Sequence, residues 1–249
     1  MIRAIIFDLD GTLVQTERLK AISYAQAAVE LRPDTVTEAA VMAAFRDVVG
    51  LSRNEVATTL VERFGLAQAA GERMTEFGVD TPWQAYIQLR LRHYETLLAD
   101  PDVLRRNQWP HAVNLLRAAR LARCKVGLAT MSYCAQVQRV LDILDLNDQF
   151  DFVASRDDVE HGKPDPEIYL LVAHELGVPA AECLVIEDSP SGVKAALAAG
   201  MHVIAVSTPF TQEGLHNGHL LNERWIVDDP ATLPSVVQEL MNSPHTSSV

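Results

Sequence analysis

The chain opens on a short apolar run, IRAIIF, dense in Ile, which reads as a buried strand. Polar DLDGTLVQTE follows and turns at Gly11. Between about Glu17 and Arg105 the period changes. ERLKAISYAQAAVEL, TEAAVMAAFRDVV, SRNEVATTLVERF and WQAYIQLRLRHYETLL repeat apolar residues at three- and four-residue spacing, which predicts helices. Pro33, Gly50, Gly65, Gly78 and Pro82 separate them, and no strand is predicted in this block. From Trp109 onward, helical patterns alternate with short apolar runs. KVGLAT, FDFVAS, CLVIED and HVIAVS read as strands, RWIVD as a last one, and NSPHTSSV as a polar, frayed end.

Helix alternating with buried strand predicts an α/β domain built on a parallel sheet, the helices supplying the crossovers. The helical block interrupts that domain just after its first strand. The expected division is residues 1–16 and 106–249 as the α/β core and 17–105 as an inserted all-helical domain. Open parallel sheets bind ligands beyond the carboxyl ends of their strands. At those ends stand Asp8, Asp10, Gly11 and Thr12; then Thr130, Met131 and Ser132; then Lys163; then Glu187, Asp188 and Ser189. Carboxylates with Mg²⁺, which prefers oxygen ligands and keeps several waters, are a common way to hold a phosphoryl group. A carboxylate can also attack phosphorus, a lysine can stabilise the same charge, and a hydroxyl with backbone amides completes an anion cradle.

Composition narrows this further. Lys plus Arg total 21 and Asp plus Glu 33 in 249 residues, a formal charge of −12. That balance argues against a nucleic-acid binder, without excluding an anionic substrate in one cleft. The hydrophobic share of 48% supports a core that needs no disulfide or structural metal. Cys124, Cys134 and Cys183 lack metal-ligand spacing and read as reduced, buried thiols of a cytoplasmic protein. Asp8 and Asp10 cut the first apolar run too short for a secretory signal. The uncharged stretch from Ala195 to Gln212 contains Gly200, His202 and Pro209, so no membrane span is expected.

DLDGTL, LATMS, GKPDPEIY and VIEDSPSGVKAALAAGM, in that order, resemble the four motifs of the haloacid dehalogenase-like hydrolases. The similarity runs from residue 2 to about 206, and the helical insert looks like that family's cap domain. It is nearest to the phosphatase and β-phosphoglucomutase branch, since the dehalogenases typically lack the second aspartate, here Asp10. The resemblance implies a Rossmann-like core and a Mg²⁺-dependent phosphatase acting on a small phosphorylated metabolite, such as a sugar phosphate. It makes Asp8 the nucleophile and Asp10 the general acid and base. Thr130, the Met131 amide, Ser132 and Gly11 would cradle the phosphoryl group, with Lys163 neutralising it. Asp8, Asp10, Asp188 and Glu187 would serve the metal, Glu187 directly or through water. A monomer or weak dimer is expected.

The alternatives are a phosphosugar mutase and a non-catalytic phosphate-binding protein. Arg53, in GLSRNE, resembles a substrate contact of the sugar-phosphate members; read alone it is equally an exposed helix-start arginine. Lys20 stands where the mutases carry a His on the first cap helix. Lysine, with an ordinary pKa of about 10.4 against about 6.5, favours anion binding over proton shuttling, and hydrolysis over mutation. Gln15-Thr16-Glu17 and Pro110-His111 depart from the family's usual residues at positions that carry no chemistry. Ser189 reads as a helix cap with Pro190 following it, and His216 and His219 as residues of a surface loop.

Overall fold

The structure is a computed structural model that describes residues 1–49 and 51–242; the Gly50 separator and residues 243–249 of the expected polar end lie outside the described residues. The chain divides into two compact units, Met1–Gln15 with Leu104–Val249, and Thr16–Val103. The helix Pro101–Arg106 straddles the second junction, which therefore falls inside an element rather than at its end.

The first unit carries a six-stranded sheet in the order β3-β2-β1-β4-β5-β6. The strands are β1 (Ala4–Phe7), β2 (Lys125–Ala129), β3 (Phe152–Ala154), β4 (Cys183–Glu187), β5 (His202–Val206) and β6 (Ile226–Val227). Every pairing is parallel, with Phe7 opposite Leu128 on one side and Ile186 on the other. The order reverses at β1, so β1 and β4 end beside a topological switch point. The last strand is shorter than RWIVD predicts, because Glu223–Trp225 forms a 3₁₀ turn in front of it.

Seven helices run from the first unit's edge through the second: α1 (Thr16–Leu31), α2 (Glu38–Phe45), α3 (Arg53–Arg63), α4 (Ala67–Glu72), α5 (Met74–Phe77), α6 (Pro82–Ala99) and α7 (Pro101–Arg106). Six more belong to the first unit: α8 (Pro110–Leu121), α9 (Cys134–Leu144), α10 (Glu167–Leu176), α11 (Pro190–Ala198), α12 (Gln212–Asn217) and α13 (Leu233–Asn242). Side chains alternate across a strand. Ile6, Val185 and Val203 accordingly share a buried cluster with Val172 and Leu176 of α10 and with Val193 and Ala196 of α11. Gly127 in β2 lets α10 come close: a Cβ there would stand 2.4 Å from Val172 Cγ1. α8 packs on β2 and α13 on β5, next to α8.

The two linkers of the first unit pair with each other. Gln15 N donates to Asn107 O at 2.7 Å and Trp109 N to Leu13 O at 2.8 Å, an antiparallel bridge centred on Val14 and Gln108. In the second unit, α1 and α6 form the spine, with Tyr86 wholly buried and its hydroxyl donating to Tyr24 O at 2.8 Å. Ser52 and Glu55 close a capping box at the start of α3, the element that begins with Arg53. No described helix is long and apolar enough to cross a membrane. All three cysteines are free; Cys183 is buried, but Cys124 is half-buried and Cys134 is exposed at the first turn of α9, so the expectation of three buried thiols is corrected at both.

Candidate active site

The carboxyl end of β1 delivers Asp8, whose amide donates to Ile186 O of β4 at 3.0 Å. Asp8 is 5% exposed. Gly11 follows with φ +88°, and a Cβ there would lie 2.1 Å from Asp188 Oδ2. Backbone conformation and close approach both demand glycine at this turn, which brings the loop after β1 against the Asp188 carboxylate. Gly192 does the same on α11, where a Cβ would stand 1.7 Å from Glu187 Oε1.

Lys163 lies in the loop between β3 and α10. The loop is fastened by Glu167, whose carboxylate accepts from the amides of Glu160 and His161 at 2.9 and 2.8 Å. The Lys163 side chain, only 5% exposed, reaches the sheet end. Its ammonium donates to Asp8 Oδ1 at 2.7 Å, Glu187 Oε1 at 2.7 Å and Ala129 O at 3.0 Å. An ammonium has three N–H groups, so all are used. Burial would lower a lone lysine, but Asp8 and Glu187 outweigh it and hold Lys163 well above its ordinary value. Burial pushes Asp8 up to about 8; Lys163 pulls it down, while Glu187 and Asp10 push it further up. Burial also acts to raise Glu187, but Lys163 and the Ser189 donors prevail and hold it below the usual carboxylate range.

Glu187 is engaged on both carboxylate oxygens. Its Oε1 accepts from Lys163 and from Tyr169 OH, and its Oε2 accepts from Asp188 N at 2.8 Å and from Ser189 N and Oγ at 2.8 and 3.0 Å. Five donors thus engage both oxygens, and Glu187 holds Lys163 and the start of α11. Ser189 does cap α11, accepting from Gly192 N, with Pro190 following it. Ser132 also has a different neighbour than a substrate: its hydroxyl donates to Asp10 Oδ2 at 2.5 Å. Thr130 is fully buried at the end of β2 and accepts from Ser132 N at 3.1 Å, while the Met131 side chain packs along Gly162.

Asp8, Asp10, Glu187 and Asp188 set four carboxylates against one lysine, and burial raises the Asp8 carboxyl above its ordinary value. A divalent cation would relieve that excess. Among the described residues no three carboxylate, His or Cys side chains are gathered into a ready cage. Mg²⁺ does not need one, because it binds through one or two carboxylates and keeps its waters. The hard oxygens of Asp8, Asp10 and Asp188 fit it.

In the helical unit Lys20 donates to Glu17 Oε1 at 2.8 Å, and Arg53 opens α3 as an exposed residue. A third cation went unnoticed in the sequence. Arg90 on α6 is 4% exposed, and its guanidinium lies 5.1 Å from the Tyr24 ring centroid and 4.5 Å from that of Tyr94. Its buried Nε has no hydrogen-bond partner, and among the described residues the guanidinium has no ion pair. Burial pulls it down from its ordinary value, while Tyr24 and Tyr94 act the other way. Arg90 sits in the helical repeat of LRLRHY like its exposed neighbour Arg92, so no sequence signal separates the two. Tyr169, invisible as chemistry in GKPDPEIY, is fully buried between Lys163 and Glu187.

A site with this geometry has relatives. The chain is 32% identical to the phosphorylated carbohydrates phosphatase of Thermotoga maritima over 201 residues, 81% of this chain and 83% of that one. It is 28% identical to the phosphoglycolate phosphatase of Salmonella typhimurium over 254 aligned positions, covering 99% and 95% of the two chains. In fold it is similar to a β-phosphoglucomutase of Clostridium difficile, with a TM-score of 0.65 at 24% identity, over 98% of this chain and 100% of that one. Residues 2–200 match the model of one hydrolase family, which spans β1 through the end of α11 and with it every strand-end residue described above: the chain belongs to the haloacid dehalogenase-like hydrolases.

Proposed function

We propose that the chain is a Mg²⁺-dependent phosphatase of small phosphorylated metabolites, working through an aspartyl-phosphate on Asp8. The observation that carries this reading is the buried contact of Lys163 with Asp8 at 2.7 Å at the carboxyl end of β1. A buried carboxylate aimed at the strand end, with its charge balanced by a fixed ammonium, is a nucleophile placed for phosphorus. The relatives named above support the reaction class.

The Asp8 oxygen not bonded to Lys163 attacks phosphorus, and the P–O bond to the leaving group breaks. Asp10 gives its proton to the leaving oxygen. Asp10 then takes a proton from water as the water oxygen attacks phosphorus, which releases inorganic phosphate and frees Asp8. Ser132 orients Asp10 for both steps, Lys163 holds negative charge on Asp8 and on the phosphoryl oxygens, and Thr130 with the Met131 amide lines the anion cradle; the Gly11 amide, expected there, donates instead to Val14 O at 2.7 Å. Asp8 and Asp188 with Asp10 would hold Mg²⁺, which when bound would supply positive charge beside the nucleophile and the phosphoryl group.

Lys20 and Arg53 are the substrate contacts we propose for the helical unit. Lys20, tied to Glu17, is a fixed cation rather than a proton shuttle, which supports hydrolysis over mutase chemistry. The test is phosphate release from a panel of phosphorylated sugars and phosphorylated carboxylic acids, with Mg²⁺ and with EDTA. Release that is unaffected by EDTA, or isomerisation of a sugar phosphate outpacing release, would overturn the reading.

A further inference from the structure

Two carboxylates compete for one ammonium in the buried centre of the first unit. Lys163 Nζ stands 2.7 Å from Asp8 Oδ1 and 2.7 Å from Glu187 Oε1. For the reaction only the Asp8 contact is useful, since Asp8 is where the phosphoryl group arrives. The two contacts are equal in length, so the distances alone do not favour Asp8. Something must keep the ammonium on Asp8.

Tyr169 is placed to do so. It lies in the first turn of α10, six positions after Lys163, with no exposed surface. Its hydroxyl donates to Glu187 Oε1 at 3.0 Å, the same oxygen that Lys163 uses. Burial and the neighbouring Glu187 keep the phenol protonated, so it is a donor throughout the working range. Its ring centroid lies 4.8 Å from Lys163 Nζ, within cation–π range. Asp8, Ala129 and Glu187 take the three N–H directions, and the ring gives the ammonium a further wall.

We propose that Tyr169 is a positioning residue that holds Lys163 on Asp8. The phenol hydroxyl takes up part of the charge on the Glu187 oxygen that Lys163 shares, and the ring limits the ammonium's travel. This rests on the phosphatase reading for its consequence in turnover, and on the contacts alone for its consequence in geometry.

The experiment uses the full chain with Mg²⁺ and p-nitrophenyl phosphate, comparing wild type, Tyr169→Phe and Tyr169→Leu. Removing the hydroxyl alone should lower kcat about tenfold, the lower end of what an outer partner of a catalytic group is worth. KM should stay within about twofold and the melting temperature within a few degrees, since Phe fills the same space. Removing the ring as well should lower kcat further. In a Glu187→Gln background the competing charge is gone, so Tyr169→Phe should then change kcat less than about twofold, a coupling that a purely structural role would not produce. Unchanged kcat in Tyr169→Phe, or the same tenfold loss in the Glu187→Gln background, would overturn the proposal. A crystal structure of Tyr169→Phe reads the geometry without turnover. Lys163 Nζ should lie farther from Asp8 by more than about 0.5 Å, the tolerance of a working catalytic constellation, and an unmoved Lys163 would overturn the proposal. That outcome is separate from a wild-type chain that hydrolyses no phosphate ester, which would overturn the phosphatase reading while leaving the positional claim to be decided by the crystal.

Discussion

Among the described residues each unit of this protein buries one cation, and the two are treated in opposite ways. Lys163 in the α/β unit donates to three oxygens, two of them carboxylate. Arg90 in the helical unit lies against two tyrosine rings with its Nε unpartnered. A buried charge left without a counterion is costly, whereas one that is matched holds its neighbours in place. Lys163 therefore belongs to the architecture as much as to the chemistry. Among the described residues Arg90 is held by the two rings alone, and no carboxylate depends on it.

The widest separation between the two should come from removing each charge. Lys163→Met would strand Asp8 as a buried carboxylate without its counterion and take one of five donors from Glu187, which should cost about 3–5 kcal/mol of stability and abolish turnover. Arg90→Met removes a charge that leaves no carboxylate behind, so its unfolding free energy should stay within about 1 kcal/mol of wild type or rise. Denaturant melts of the two variants decide this, and equal destabilisation would erase the contrast.

Next in size is Asp8→Asn, which keeps an oxygen for Lys163 but loses the nucleophile. Turnover of p-nitrophenyl phosphate should fall more than a hundredfold, about 2.7 kcal/mol of barrier, with the fold retained by circular dichroism. Residual kcat above about a hundredth of wild type would remove Asp8 from the role proposed for it.

A smaller effect should follow Arg90→Met in activity. Its contacts are the Tyr24 and Tyr94 rings of its own unit, so turnover of p-nitrophenyl phosphate should stay within about twofold of wild type, about 0.4 kcal/mol. A loss as large as that of Asp8→Asn would erase the contrast.

The smallest difference is one of pH. The folded value of Asp8, about 8, lies above its ordinary 3.8, so the folded chain keeps a proton that the unfolded chain has lost. Stability from this group is present at low pH and drains away as pH rises toward 8. Mg²⁺ binds the ionised form and competes with that proton. Its stabilising shift in melting temperature should therefore be larger at pH 8 than at pH 6, and should persist in Arg90→Met. Equal shifts at the two pH values would show that Asp8 is already ionised at pH 6.

The period of the hydrophobic pattern was enough to separate the two kinds of structure. Ile5, Ile6 and Phe7 in one short run, and Val185 and Ile186 in another, can be satisfied only where both faces are covered, which is a central parallel strand. The helix repeats between Thr16 and Ala99 were equally plain, although the short helices Ala67–Glu72 and Met74–Phe77 were not separable from the loops around them. Because chain direction fixes which end of a parallel strand is its carboxyl end, Asp8, Thr130, Lys163 and Asp188 could be assigned to one side of the sheet from order alone. What those side chains touch could not. That Glu187 is engaged by five donors, that Ser132 bonds to Asp10, that Tyr169 shares an oxygen with Lys163 and that Arg90 has tyrosine rings where a carboxylate would be expected are contacts between residues distant in sequence. Pattern and order are properties of a single element and survive in the linear chain. Partner choice among buried charges is set by which elements pack together and how closely, down to the missing Cβ of Gly11 and Gly192, and exists only once the chain has folded.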